Sequence, residues 1–136
     1  MDNSLSVEII TPERVVVSDE AEMVEAKGSL GEFGIMPGHI RYLTSIEIGE
    51  IRYTKDGNTR YLATSGGFAE VFDDKVTLLV DTAEFAEEID VDRAKRAKDR
   101  AGTNLKDVSG EEEDYRRYEL ALMRAIARIG VAEKKL

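Results

Sequence analysis

Four arginines in the last third of the chain have the spacing to act together. Arg93 and Arg100 are seven residues apart and Arg124 and Arg128 four apart, so each pair lies on one face of a helix. Two such helices folded as a hairpin would bring four guanidinium groups to one point. Guanidinium forks bind phosphate oxygens two at a time, so the chemistry this cluster suits is capture of a polyphosphate. The competing reading is a solvated charged face in which the arginines pair with Asp92, Asp99 or Glu119, and spacing alone favours it.

Other chemical constellations are weak. Gly28-Ser29-Leu30-Gly31-Glu32-Phe33-Gly34 has the glycines of a phosphate cradle but neither the Lys-Ser/Thr ending nor a following helix, so it reads as a tight turn between strands. Ser65-Gly66-Gly67-Phe68 lacks the G-x-S-x-G elbow, and no base accompanies Ser65, which argues against a small hydrolase. His39 is the only histidine and there is no cysteine. No metal site, disulfide or thiolate chemistry is expected from such a set.

The elements that must position the arginines emerge from charge and periodicity. The 136 residues, 42% of them hydrophobic, suffice for one domain and an appendage. Net charge is −9, which argues against broad binding to nucleic acid. Residues 1–88 carry 18 acidic and 7 basic side chains, whereas residues 89–136 carry 10 and 12; two parts with different partners are implied. The chain starts without a basic segment and apolar run, and no stretch approaches the ~20 apolar residues that span a bilayer, so no direct membrane insertion is expected.

Up to Asp81 the pattern is one of short strands. Ser6 to Ile10 alternates and stops at Thr11-Pro12; Val15 to Val17, Ala21 to Ala26 and Phe33 to Met36 follow. Ile51 to Thr54 and Arg60 to Ala63 form a hairpin around Asp56-Gly57-Asn58. Phe68 to Phe72 faces Val76 to Val80 in a second hairpin, and the unbroken apolar run of the latter predicts a strand buried on both faces. A sandwich or barrel is implied. Beyond Asp81 the period changes: Val91, Ala94, Ala97, Ala101 and Leu105 mark one helix, with Asp90 as its N-cap, and Tyr115, Tyr118, Leu122, Ile126 and Ile129 mark another. Gly102 and Gly110 bracket a predicted break, with the first helix stopping early at Gly102-Thr103-Asn104. The acidic run Glu111 to Asp114 suits the start of the second helix. Alanine-rich seams bury little area, so a partner offering a few kcal/mol more could separate these helices.

Three segments together resemble the epsilon subunit of bacterial F-type ATP synthases: Val7-Glu8-Ile9-Ile10-Thr11-Pro12-Glu13-Arg14, Gly31-Glu32-Phe33-Gly34-Ile35-Met36-Pro37-Gly38-His39, and Ser65-Gly66-Gly67-Phe68-Ala69-Glu70-Val71. They occur in the family's order and spacing. The similarity continues through Ala83-Glu84, Glu87-Glu88-Ile89-Asp90 and Glu119-Leu120-Ala121-Leu122-Met123-Arg124-Ala125.

The resemblance implies an α+β chain: a ten-stranded β-sandwich over residues 1–84, then an antiparallel helical hairpin over residues 85–136. It implies a non-catalytic rotor subunit of the proton-translocating synthase, peripheral on the cytoplasmic side of the cell membrane. Its partners would be the gamma subunit, the c-subunit ring and the catalytic alpha and beta subunits. Glu32, Met36, Pro37 and His39 would lie near the rotor interface, and the basic tail would face acidic surfaces of the catalytic subunits. The tail of such a subunit swings from a compact hairpin to an extended form that inhibits ATP hydrolysis. Some members bind ATP on the compact hairpin through an I-D-x-x-R-A motif, which Ile89-Asp90-Val91-Asp92-Arg93-Ala94 matches. The matching Arg100, Arg124 and Arg128, with Glu84 from the sandwich, then become candidate ATP contacts, although no cofactor is required. The alternative is a free-standing ATP sensor, which needs the arginines and Asp90 but no partner for the sandwich.

Overall fold

The computed structural model describes residues 4–108 and 112–134. Alternation in the first strands is read directly as burial: Leu5, Val7 and Ile9 of β1 (Leu5–Ile10) point into the core while Ser6 faces out. β2 (Val15–Ala21), β3 (Met23–Gly28), β4 (Gly31–Ile35), β5 (Tyr42–Lys55), β6 (Asn58–Thr64), β7 (Gly67–Phe72), β8 (Lys75–Val80) and β9 (Ala83–Phe85) complete the sheet. The order is β2-β1-β8-β7-β5-β3-β4, with β6 on β5 and β9 on β6. All pairings are antiparallel except β1 with β8.

β5 turns this single sheet into two layers. Its first half, Tyr42 to Ile46, pairs with β7, and its second half, Gly49 to Lys55, pairs with β6, so one strand crosses from layer to layer as strands do at sandwich corners. Nine strands are present among the described residues, not the ten expected; counting the two halves of β5 separately restores ten. The core between the layers is formed by side chains such as Ile35, Ile51, Leu62, Val71 and Leu78, each fully buried.

Several local expectations fail for identifiable reasons. β8 is not buried on both faces, because Leu79 is 54% exposed: none of the described residues covers its outer side. The Ala21 to Ala26 segment is split at Glu22 between β2 and β3. The first half of β5 and all of β9 lack strong alternation and were not expected as strands. The Gly66-Gly67 pair is a packing requirement: a Cβ on Gly67 would lie 2.0 Å from the Leu79 carbonyl oxygen, and Gly66 has φ +108° with a Cβ position 2.8 Å from the Ile46 oxygen.

A short 3-10 turn, Ala86–Glu88, leads into α1 (Val91–Asp107), and α2 (Glu112–Ala132) returns antiparallel along it. α1 passes through Gly102-Thr103-Asn104 without stopping, because one glycine costs a helix only ~1 kcal/mol and packing on α2 offsets it. Gly110 and Glu111 lie outside the described residues. No helix among those described is long and apolar enough to cross a membrane.

Candidate functional site

The hinge between sandwich and hairpin is tied down residue by residue. The Glu88 carboxylate accepts from the Phe85 backbone N–H at 3.0 Å, and the Arg60 guanidinium lies over the Phe85 ring, 4.0 Å from its centroid. Ile89 is buried, 7% exposed, in a small cluster with Ala63, Ala86, Val131 and Ala132. Asp90 then takes an extended conformation and its Oδ1 accepts from the Arg93 N–H at 3.0 Å, the N-cap that starts α1. Ala94, fully buried, allows α1 to approach closely.

Between this hinge, β9 and the middle of the hairpin lies a cavity of about 490 Å³. Arg93 reaches it from α1, Arg124 and Arg128 from α2, and Glu84 from β9; alanines 97, 121 and 125 leave the space, and Ser65 and Thr82 border it, the Thr82 hydroxyl donating to that of Ser65 at 2.8 Å. The Arg128 guanidinium holds Glu84 in a two-bond fork, Nε to Oε1 at 2.8 Å and Nη2 to Oε2 at 3.1 Å, which ties α2 to the sandwich. Arg93 and Arg124 have no carboxylate partner among the described residues. The cavity is therefore an electropositive recess with two guanidiniums that no carboxylate among the described residues neutralises, suited to an anion.

Of the candidate ATP contacts, Glu84, Arg93, Arg124 and Arg128 line this one space. Arg100 does not. It shares a helical face with Arg93 but stands seven residues farther along α1, roughly 10 Å of axial rise, and is exposed beyond the cavity. Ile89, Asp90 and Ala94 also stay out of the lining: the first is core, the second a cap, the third a helix contact. The pairing expected with Glu119 goes instead to Arg116, at 2.7 Å.

The rotor-interface candidates are exposed or half-buried. Glu32 lies on edge strand β4 and pairs with Arg52; Met36 is 57% exposed; Pro37 and His39 sit in the β4–β5 loop. That loop is anchored by the Gly38 N–H donating to Asp74 Oδ1 at 2.7 Å and by the His39 N–H donating to the Met36 carbonyl at 3.1 Å. Sequence reasoning missed a larger surface nearby. Leu43, Phe68, Phe72 and Leu79 share the outer face of β5, β7 and β8, each more than half exposed and grouped around Glu70, which lies opposite Leu43; large apolar side chains gathered on one exposed face mark an interface. The signal was available: in Phe68-Ala69-Glu70-Val71-Phe72 the alternation puts two aromatics on the side opposite buried Ala69 and Val71.

Family models of the ATP synthase delta/epsilon chain match almost all of this architecture, the beta-sandwich domain over residues 4–86 and the long alpha-helix domain over residues 87–133. The chain belongs to this family. ATP synthase epsilon chains are its relatives: that of Citrifermentans bemidjiense is 49% identical over 98% of this chain and 97% of its own length. That of Geotalea uraniireducens is 50% identical over the same shares, and that of Nitratidesulfovibrio vulgaris is 47% identical over 96% and 97%. Epsilon chains are subunits of the synthase and not themselves catalysts. The fold also recurs in a chain of the Euglena gracilis mitochondrial ATP synthase, at TM-score 0.84 and 20% identity over 98% of this chain and 83% of that one. A chain of the Tetrahymena thermophila central stalk and c-ring gives 0.58 and 14% over 96% and 94%.

Proposed function

We propose that this epsilon chain is a rotor subunit whose sandwich docks on the central stalk and whose helical tail is a brake on ATP hydrolysis governed by ATP. The carrying observation is the arginine-lined cavity between tail and sandwich. A polyphosphate placed there would touch α1 and α2 at once, and Arg128 is also the residue that ties α2 to β9. A ligand that binds only the compact form stabilises it by RT ln(1 + [L]/Kd), ~2.7 kcal/mol at a hundredfold excess over Kd. High ATP then holds the tail down and low ATP releases it toward the catalytic alpha and beta subunits.

The apolar face of Leu43, Phe68, Phe72 and Leu79, with the Met36 to His39 loop at its end, is the surface offered to the gamma subunit and the c ring. Through that contact the chain is held peripherally at the cytoplasmic side of the cell membrane. A free-standing ATP sensor would use the same cavity but leave this face without a role, so the rotor reading is preferred.

The test is ATP hydrolysis by an epsilon-depleted synthase core, with the full chain compared against a version ending at Glu88 and gamma binding recorded in parallel. Both forms binding gamma, with only the full chain slowing hydrolysis, is the expected result. Equal slowing by both would remove the tail from the brake, and failure of either to bind gamma would remove the sandwich from the rotor.

A further inference from the structure

Next to the cluster in which Val131 and Ala132 pack on Ala63, the tail makes a polar contact with the sandwich, away from the cavity. Beyond the last turn of α2, Lys134 places its ammonium 2.9 Å from Glu50 Oε1 and 5.2 Å from the centroid of the Tyr61 ring. Glu50 is shared. Its other oxygen accepts from Arg52 Nη1 at 3.0 Å, and Arg52 is in turn held by Glu25 through Nε at 3.0 Å and Nη2 at 2.9 Å, and by Glu32 through Nη2. One guanidinium thus serves three carboxylates, a surplus of negative charge that draws in the Lys134 ammonium. Glu25 above all, with Glu32 and Glu50, holds the Arg52 guanidinium well above its ordinary pKa.

Exposure gives this network a direction. The side chains of Glu25 and Glu50 are 24% and 19% exposed, whereas that of Glu32, on the edge strand, is 55% exposed. Glu32 is the member a cationic partner surface can reach. Neutralising it removes one unit of the charge that attracts Lys134, and frees Arg52 to draw more strongly on Glu50, so both effects weaken the hold on the tail.

We propose that Glu32, Arg52, Glu50 and Lys134 form a charge relay, through which a cationic surface arriving at β4 loosens the end of the helical tail from the sandwich. The proposal rests on the reading that the tail is released, and adds where the release is set and what triggers it.

The test uses the full chain, which has no cysteine, labelled with a fluorescent donor and acceptor through Ser18→Cys and Glu113→Cys, both exposed positions. The ratio of released to docked tail is read by energy transfer without nucleotide. Lys134→Met or Glu50→Gln is expected to raise it about two- to fivefold, the range of an ion pair with one partner in solvent, and Glu32→Gln about twofold, with the circular-dichroism melt of the sandwich retained. In the double variant Glu32→Gln, Lys134→Met the ratio is expected to equal that of Lys134→Met alone. An unchanged ratio in Lys134→Met, or effects of residues 32 and 134 that simply multiply, overturns the relay while tail release stands. A single docked population in every variant, with gamma present or absent, overturns both.

Discussion

Replacing Asp90 separates a direct contact from a structural one within the I-D-x-x-R-A segment. Asp90 spends its carboxylate on the Arg93 N–H at 3.0 Å and does not border the cavity. Removing that cap costs about 1 kcal/mol, and the affected turn is the one that carries Arg93. If fraying of this turn must be reversed for ATP to bind, Asp90→Ala raises the ATP Kd about fivefold. Asp90→Ser keeps a side-chain oxygen at the cap and discards the charge; it is expected to bind ATP within about twofold of the unaltered chain, since serine caps about as well as aspartate. Calorimetric titration with ATP supplies the affinities, and helical circular dichroism confirms the loss of cap in the alanine variant alone. An Asp90→Ser variant as weak as Asp90→Ala, with its helix intact, would refute the capping account and make the carboxylate a ligand contact.

Other perturbations test the remaining joints. Arg93→Ala removes a cavity guanidinium, and loss of one charge-assisted hydrogen bond, about 1.5–3 kcal/mol, weakens ATP binding at least tenfold by the same titration. Ile89→Ala hollows the cluster under Val131 and Ala132 and costs about 2 kcal/mol or more; hydrogen exchange should quicken in α2 and not in the sandwich core. Phe68→Asp changes a side chain that is 60% exposed but pairs across to Leu79, so it costs about 1 kcal/mol of stability and leaves the sandwich folded, while binding to gamma, measured by surface capture, is lost. Asp19, whose pKa is lowered chiefly by its hydrogen bond to Lys55, supports the fold above its ordinary value of 3.8. That support fades as pH falls through the lowered folded value, so the melting-temperature deficit of Asp19→Asn should be present at neutral pH and close in acid.

Alternation and helical period by themselves determined the two-part architecture, because they record which side of an element is dry and which is wet. The hairpin around Asp56-Gly57-Asn58, the hairpin of Phe68 to Phe72 with Val76 to Val80, the Asp90 cap and the shared helical faces of the arginine pairs were legible for the same reason: each is a local relation within a few residues. What tertiary structure decided is how far along the helices the arginines meet. Arg93, Arg124 and Arg128 converge and Arg100 does not, since the antiparallel hairpin brings the start of α1 to the end of α2, where Ile89 packs with Val131 and Ala132, residues more than forty positions apart. It also decided that Glu84 is spent on Arg128, that β5 serves both layers, and that Leu79 faces outward. These outcomes depend on distant partners competing for the same side chain or the same surface, and period along one strand or helix carries no record of who the partner is.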